Sequence, residues 1–163
     1  MNEKSFGKEQ IKVKVDHLAT TIPLSFFGDP VTGTTSYALC LYDDANALVG
    51  TLRVVRAQGT CSTRPCWKLT GTTGYKYADK LLASDGVLQV VLKSGLATKG
   101  KAVVKAKNDL THGLTKMPVG IASKLAANDG ATAQILSSNG GCVTGTVANV
   151  READGFVFKA SAP

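Results

Sequence analysis

Apolar and polar residues alternate along this chain in short runs with a period of two, the signature of half-buried strands rather than helices. From Gln10 to His17, Ile11, Val13 and Val15 face one way and Lys12, Lys14 and Asp16 the other. Ser36 to Tyr42 repeats the pattern, Asp43-Asp44-Ala45-Asn46 supplies a turn, and Ala47 to Arg56 returns, which reads as a hairpin. Trp67 to Thr70 and Gly74 to Tyr77 are short candidates. Val87 to Lys93 sets Leu88, Val90 and Leu92 against Val87, Gln89, Val91 and Lys93, and Lys101 to Lys107 sets Ala102, Val104 and Ala106 against three lysines. Ala131 to Leu136, Cys142 to Val150 and Phe156 to Lys159 complete about nine strands. One helix is expected over 118–128: Pro118 suits a first turn, Ile121 and Leu125 lie one turn apart, and Asn128-Asp129-Gly130 ends it. Many short strands with a single brief helix predict an all-β fold, a single antiparallel β-sandwich of 8–9 strands, Ig-like or jelly-roll-like.

Length and composition narrow this picture. A chain of 163 residues makes one domain, here 11–163, preceded by a polar arm over 1–10. Aromatics are 6% of the chain, so the core must be mostly aliphatic. Leu39, Leu41, Leu52, Val54, Leu88, Val90, Leu92, Val104, Ile135, Val143, Val147 and Phe156 are its expected members. No apolar run approaches the roughly 20 residues of a membrane-spanning helix, and the first residues lack the apolar stretch of a signal peptide. An exported protein would then have lost its leader, with Met1 added afterwards.

Four cysteines change the expected compartment. An even count in a small, glycine-rich β chain points to a disulfide-stapled domain of an oxidising environment, secreted, periplasmic or at the cell surface. Four cysteines allow three pairings. Cys61 and Cys66 bracket the turn-like Ser62-Thr63-Arg64-Pro65, so a local bridge closes easily. Cys40 and Cys142 each lie on the less apolar face of a strand, so adjacent strands would join them. The expectation is therefore Cys61–Cys66 with Cys40–Cys142, worth roughly 2 and about 4–5 kcal/mol on the chain-entropy model. Zinc competes, but structural zinc wants two short Cys/His pairs and only Cys61 and Cys66 are close. No metal ligand set and no cofactor is expected.

Charge and candidate chemistry come next. The net charge is +7, which favours anionic partners. Lys93, Lys99, Lys101, Lys105 and Lys107 fall in one segment free of acidic residues and form a cationic stripe if their strands are adjacent. The opposing reading is a solvated, edge-protecting sheet face. Trp67, Tyr75 and Tyr77 lie close together among lysines and are candidates for stacking on a ligand, against core packing of Trp67 beside Cys66. His17 and His112 fit no nucleophile–base pattern, and Asp43-Asp44 suits turn geometry. The chain lacks the Gly-x-Ser-x-Gly, His-Glu-x-x-His, phosphate-loop and calcium-loop motifs, so no catalytic residue is assigned.

The run Cys66-Trp67-Lys68, then Gly74-Tyr75-Lys76-Tyr77 with Asp79-Lys80, then Asp85-Gly86-Val87-Leu88, Leu92-Lys93 and the closing Phe158-Lys159-Ala160-Ser161-Ala162-Pro163 carry a resemblance. With Leu39-Cys40-Leu41-Tyr42-Asp43 they resemble a group of uncharacterised secreted four-cysteine β-domain proteins of environmental Gram-negative bacteria that share a Gly-Tyr/Trp-Lys-Tyr motif. The resemblance spans the chain from about Asp29 onward. It implies export and a β domain and no activity or site residue. This chain reads Tyr77-Ala78-Asp79 where the group has Tyr-Lys-Asp, so no lysine role is carried over there. The expected function is that of a non-catalytic, extracellular, basic module acting through its surface. The role is structural, in assembly or adhesion, with self-assembly, another surface protein, or an anionic polymer or glycan as partner. The alternative is a secreted hydrolase-type enzyme with a site built from loops.

Overall fold

A computed structural model of the chain describes residues 10–114, 117–118, 120–126, 130–148 and 156–161. It is an antiparallel β-sandwich of two unequal sheets. The larger contains β1 (Gln10–Asp16), β6 (Trp67–Thr70), β7 (Gly74–Ala78), β8 (Val87–Lys93), β9 (Lys101–Lys107) and β12 (Phe156–Ser161), in the order β12-β1-β9-β8-β7-β6. The smaller contains β2 (Tyr37–Asp43), β3 (Leu48–Val54), β10 (Gly130–Ser137) and β11 (Cys142–Ala148), in the order β11-β10-β2-β3. A two-residue pair, β4 (Thr60–Cys61) with β5 (Arg64–Pro65), forms a separate ribbon. Neighbours pair antiparallel except β1 and β12, which run parallel.

Register explains the core. Across the larger sheet, Val13, Val104, Val90, Tyr77 and Trp67 form one row and Val15, Ala102, Leu92, Tyr75 and Leu69 the next, all on one face. The smaller sheet answers with Tyr37, Leu39, Leu41, Leu52, Val54, Ile135 and Val143, all buried. Each fully buried aliphatic side chain contributes about 1.5–3 kcal/mol. The short helix α1 (Ile121–Ala126) places Ile121 and Leu125 in this core. Ile121 lies on Gly50 of β3, where a Cβ would meet its Cδ1 at 2.5 Å.

Several expectations need correction. The helix begins at Ile121, with Pro118 and Gly120 outside it, while 119 and 127–129 lie outside the described residues. Gln10 belongs to β1 rather than to an arm; residues 1–9 lie outside the described residues. Leu88 is half-buried, because a bulge between Val87 and Gln89 makes it the extra residue and turns Val87 inward with Val90 and Leu92. Val147 and Phe156, also expected in the core, have side chains outside the described residues.

The cysteines divide. Cys61 and Cys66 are bonded, with Cα atoms 4.8 Å apart. Cys40 and Cys142 are free thiols, so the expected long-range bridge is absent. The reason is strand order. β10 runs between β2 and β11, with Gln134 opposite Cys40 and Leu136 opposite Cys142. Two strand spacings, about 9.6 Å, exceed the roughly 7 Å that a disulfide spans between Cα atoms.

The Gly74-Tyr75-Lys76-Tyr77 motif serves the fold. A Cβ at Gly74 would meet the Leu92 carbonyl oxygen at 2.5 Å, so only glycine allows β7 this close to β8. Tyr77, fully buried, donates from its hydroxyl to Asp79 Oδ2 at 3.2 Å and lies 3.0 Å from Ser84 Oγ. Asp79 is buried and accepts from the Leu81 and Ala83 main-chain N–H groups at 2.9 and 3.0 Å, so it ties the 79–84 loop to the core. Gly74→Ala is expected to destabilise the fold by roughly 1–3 kcal/mol, read as an earlier urea midpoint with an unchanged slope.

Alkylating the folded, unreduced protein checks the thiol assignment. Cys142, exposed, is expected to react readily, Cys40, buried, only slowly, and Cys61 and Cys66 not at all. Peptide mass spectrometry reads the labels; a protected Cys142 joined to Cys40 would contradict this strand order.

Candidate functional site

The outward face of the larger sheet is lined with lysines. Alternation in β1 turns Lys12 and Lys14 away from the core, and β9 does the same with Lys101, Lys105 and Lys107. β8 adds Lys93, β7 adds Lys76 and β6 adds Lys68. The ladders set Lys12 opposite Lys105, Lys93 opposite Lys101 and Lys68 opposite Lys76. Lys159 on β12 stands in register with Lys14. Successive outward positions along a strand are about 6.8 Å apart and neighbouring strands about 4.8 Å apart. The result is a closely spaced array of ammonium groups on one face of the sheet.

Two carboxylates touch its ends. Asp16 pairs with Lys14, and His17 Nδ1 lies 3.4 Å from Asp16 Oδ1. Asp109 receives Lys107 at 3.2 Å and His112 at 3.0 Å. Lys14 beside Asp16, and His112 and then Lys107 beside Asp109, hold both carboxyls below the usual aspartate range. None of Lys12, Lys68, Lys76, Lys93, Lys101 and Lys105 forms an ion pair with a carboxylate among the described residues, although Asp16 stands opposite Lys101 in the ladder.

Of the sequence-expected cationic residues, the fold brings Lys93, Lys101, Lys105 and Lys107 onto this one face. Lys99 lies instead in the turn between β8 and β9, exposed beyond the end of the lattice. Lys12, Lys14, Lys68 and Lys76 were missed. Their outward alternation was visible in the sequence, but nothing there placed β1 beside β9 or β6 beside β7.

The aromatic candidates are corrected. Trp67 is 2% exposed, Tyr75 7% and Tyr77 0%. Trp67 sits between Tyr37 and Tyr77, with ring centroids 4.9 and 5.2 Å away. Burial raises the hydroxyl pKa of Tyr37, Tyr75 and Tyr77. Rings packed in this way are core, not a platform for stacking. Both histidines are exposed and paired with aspartate, and Asp43 accepts from the Ala47 N–H at 2.7 Å as a turn residue. Among the described residues no three His, Cys, Asp or Glu side chains converge as a metal site, and no helix is long and apolar enough to cross a membrane.

In comparisons with known proteins the chain matches no family model, no curated protein and no solved structure.

Like charges directly opposite one another destabilise a sheet by about 0.2–1 kcal/mol per pair. Lys105→Glu, which turns Lys12–Lys105 into an opposite-charge pair, is therefore expected to raise the melting temperature. Calorimetry at low and high salt checks this, because the gain must shrink as salt screens the pair. A lower melting temperature at low salt would mean these lysines do not repel.

Proposed function

We propose that this chain is a non-catalytic, exported module that holds an extended anionic polymer, an acidic glycan, on the lysine face of its larger sheet. The observation that carries the reading is the set of three cross-strand lysine pairs. A surface needed only for solubility gains nothing from placing like charges opposite each other, whereas a polyanion that bridges them relieves the repulsion.

The composition of the face selects among polyanions. No aromatic side chain and no arginine projects from it among the described residues. Nucleic-acid single strands are held by base stacking, and arginine is the residue that grips phosphate with two parallel bonds. A lattice of lysine point charges lacks both and suits carboxylate or sulfate groups spaced along a sugar chain. The half-buried Val91 and Val103 lie among the lysines and offer the rings a small apolar floor. The Cys61–Cys66 bond supports residence in an oxidising compartment.

Retention on immobilised heparin, with alginate and single-stranded DNA as soluble competitors, tests the reading. The wild-type protein is expected to elute at high salt and to be displaced by alginate better than by DNA. Replacing Lys12, Lys101 and Lys105 together with glutamate is expected to abolish retention while the fold, read by circular dichroism, persists. Unchanged retention of that variant would end this assignment.

A further inference from the structure

The smaller sheet runs from β11, against β12 and β1, to β3, against β8, so β7 and β6 lie past its last strand. Loops cover them instead, and between the loops and β6 runs a groove of about 600 Å³. Val31, Thr32, Gln58, Gly59 and Pro65 form one wall; Trp67, Lys68 and Leu69 form the other. Side chains of successive strand residues point to opposite faces. A groove lined by three successive residues therefore runs along the edge of the strand, where the main-chain groups are.

Hydrogen-bond phase shows which groups these are. Ala78 N–H donates to the Cys66 carbonyl at 3.0 Å, and β6 pairs with β7 as Lys68 opposite Lys76 and Thr70 opposite Gly74. In an antiparallel ladder such pairs alternate, so Lys68 and Thr70 turn their N–H and C=O groups to β7. Trp67 and Leu69 turn theirs away from β7, with Leu69 half exposed at the groove and Trp67 almost wholly covered. Among the described residues no main-chain partner takes them. Trp67 also has a buried indole N–H without a hydrogen-bond partner, and Leu69 is 50% exposed.

The far wall is held in place. Asp29 Oδ1 accepts from the Val31 and Thr32 N–H groups at 2.8 and 2.9 Å. Gln58 donates through Nε2 to the Thr32 and Gly33 carbonyls at 2.8 and 2.9 Å. A slot with one fixed wall and one unpaired strand edge is preorganised for an added strand.

We propose that the β6 edge binds an extended peptide that alternates apolar and acidic residues and adds as a further strand of the larger sheet. A peptide residue opposite Leu69 exchanges main-chain hydrogen bonds with it, and the residue two positions on, beside Trp67, shares that face, so their side chains enter the groove against Val31 and Pro65. The residue between them lies opposite Lys68, on the lysine face with Lys76 one strand further in. An apolar–acidic–apolar order follows. Pairing of two β6 edges about a twofold at Lys68 would add one more like-charge pair to this face, whereas an acidic peptide residue at that place is attracted to Lys68 and Lys76. Lysine at an edge commonly guards against such self-pairing, and the same charge selects an acidic partner.

The site borders the proposed glycan face and shares Lys68 and Lys76 with it, so the experiment separates the two through the main-chain groups of β6, which glycan binding does not use. The probe is a short peptide alternating valine with glutamate, read by the emission of Trp67, the chain's single tryptophan, and by calorimetry. The expected result is saturable binding that weakens about tenfold or more when the valine nitrogens are methylated, since each lost hydrogen bond removes about that much affinity. A peptide of the same composition with valines and glutamates in separate blocks should not saturate the Trp67 signal. Leu69→Pro deletes an N–H that β7 does not use, so the fold and heparin retention are expected to persist while peptide binding is lost. If that variant does not fold, the methylated peptide decides with the wild-type protein. Equal binding of the blocked or methylated peptide, or no binding of the alternating one, would overturn the proposal. Concentration-dependent dimers by ultracentrifugation, abolished by Leu69→Pro, would overturn it in favour of self-pairing.

Discussion

The mismatch between six strands and four is the constraint that shapes the rest of this molecule. A sandwich core is sealed only where two inner faces meet. The outer strands β6 and β7 extend beyond the smaller sheet, yet they carry Trp67, Tyr75 and Tyr77 on their inner face. These large rings are buried because irregular chain, not a third pair of strands, closes over them. Tyr37, reaching across from β2, packs on Trp67 and donates its hydroxyl to the Phe27 carbonyl at 2.7 Å. The Cys61–Cys66 bond closes the turn that leads into β6. A short crosslink of this kind adds about 2 kcal/mol by restricting the unfolded chain, at the place where sheet packing contributes least.

The same mismatch separates two kinds of surface. On the outward face of the larger sheet, strand alternation delivers lysines in bulk, and their repulsion is accepted at three cross-strand pairs. At the β6 end the sheet finishes in an unpaired edge beside a walled groove. The edge of the smaller sheet on this same flank is managed differently: on β3, which lies against β8, the Arg53 N–H is capped by the Asp85 carboxylate at 2.8 Å. One edge is blocked by a side chain from another loop while the other leaves Leu69 half exposed, which gives the two edges different roles.

Much of the architecture could be read from periodicity. β1, β2, β8, β9 and β10 fall where alternation placed them, because a half-buried strand demands one apolar face whatever it pairs with. Reading failed where a local irregularity broke the period or where large side chains were ambiguous. The Leu88 bulge shifted the phase of β8 and hid Val87 as the inward residue. Trp67, Tyr75 and Tyr77, interleaved with lysines, could be read as an exposed binding strip as well as an edge of the core, with Trp67 beside Cys66 favouring the core; the packing of Trp67 between Tyr37 and Tyr77 shows the core.

The amino-acid sequence by itself determined strand positions, the basic balance and the local Cys61–Cys66 closure, because each depends on neighbours a few residues apart. Strand order it left open, since pairing partners are chosen by the global fit of apolar faces. That order kept Cys40 and Cys142 apart by inserting β10 between their strands, and it gathered lysines from five strands, β1, β6, β7, β8 and β9, onto one face. A charged lattice and an open edge are properties of which strands lie side by side, and only the tertiary structure specifies that.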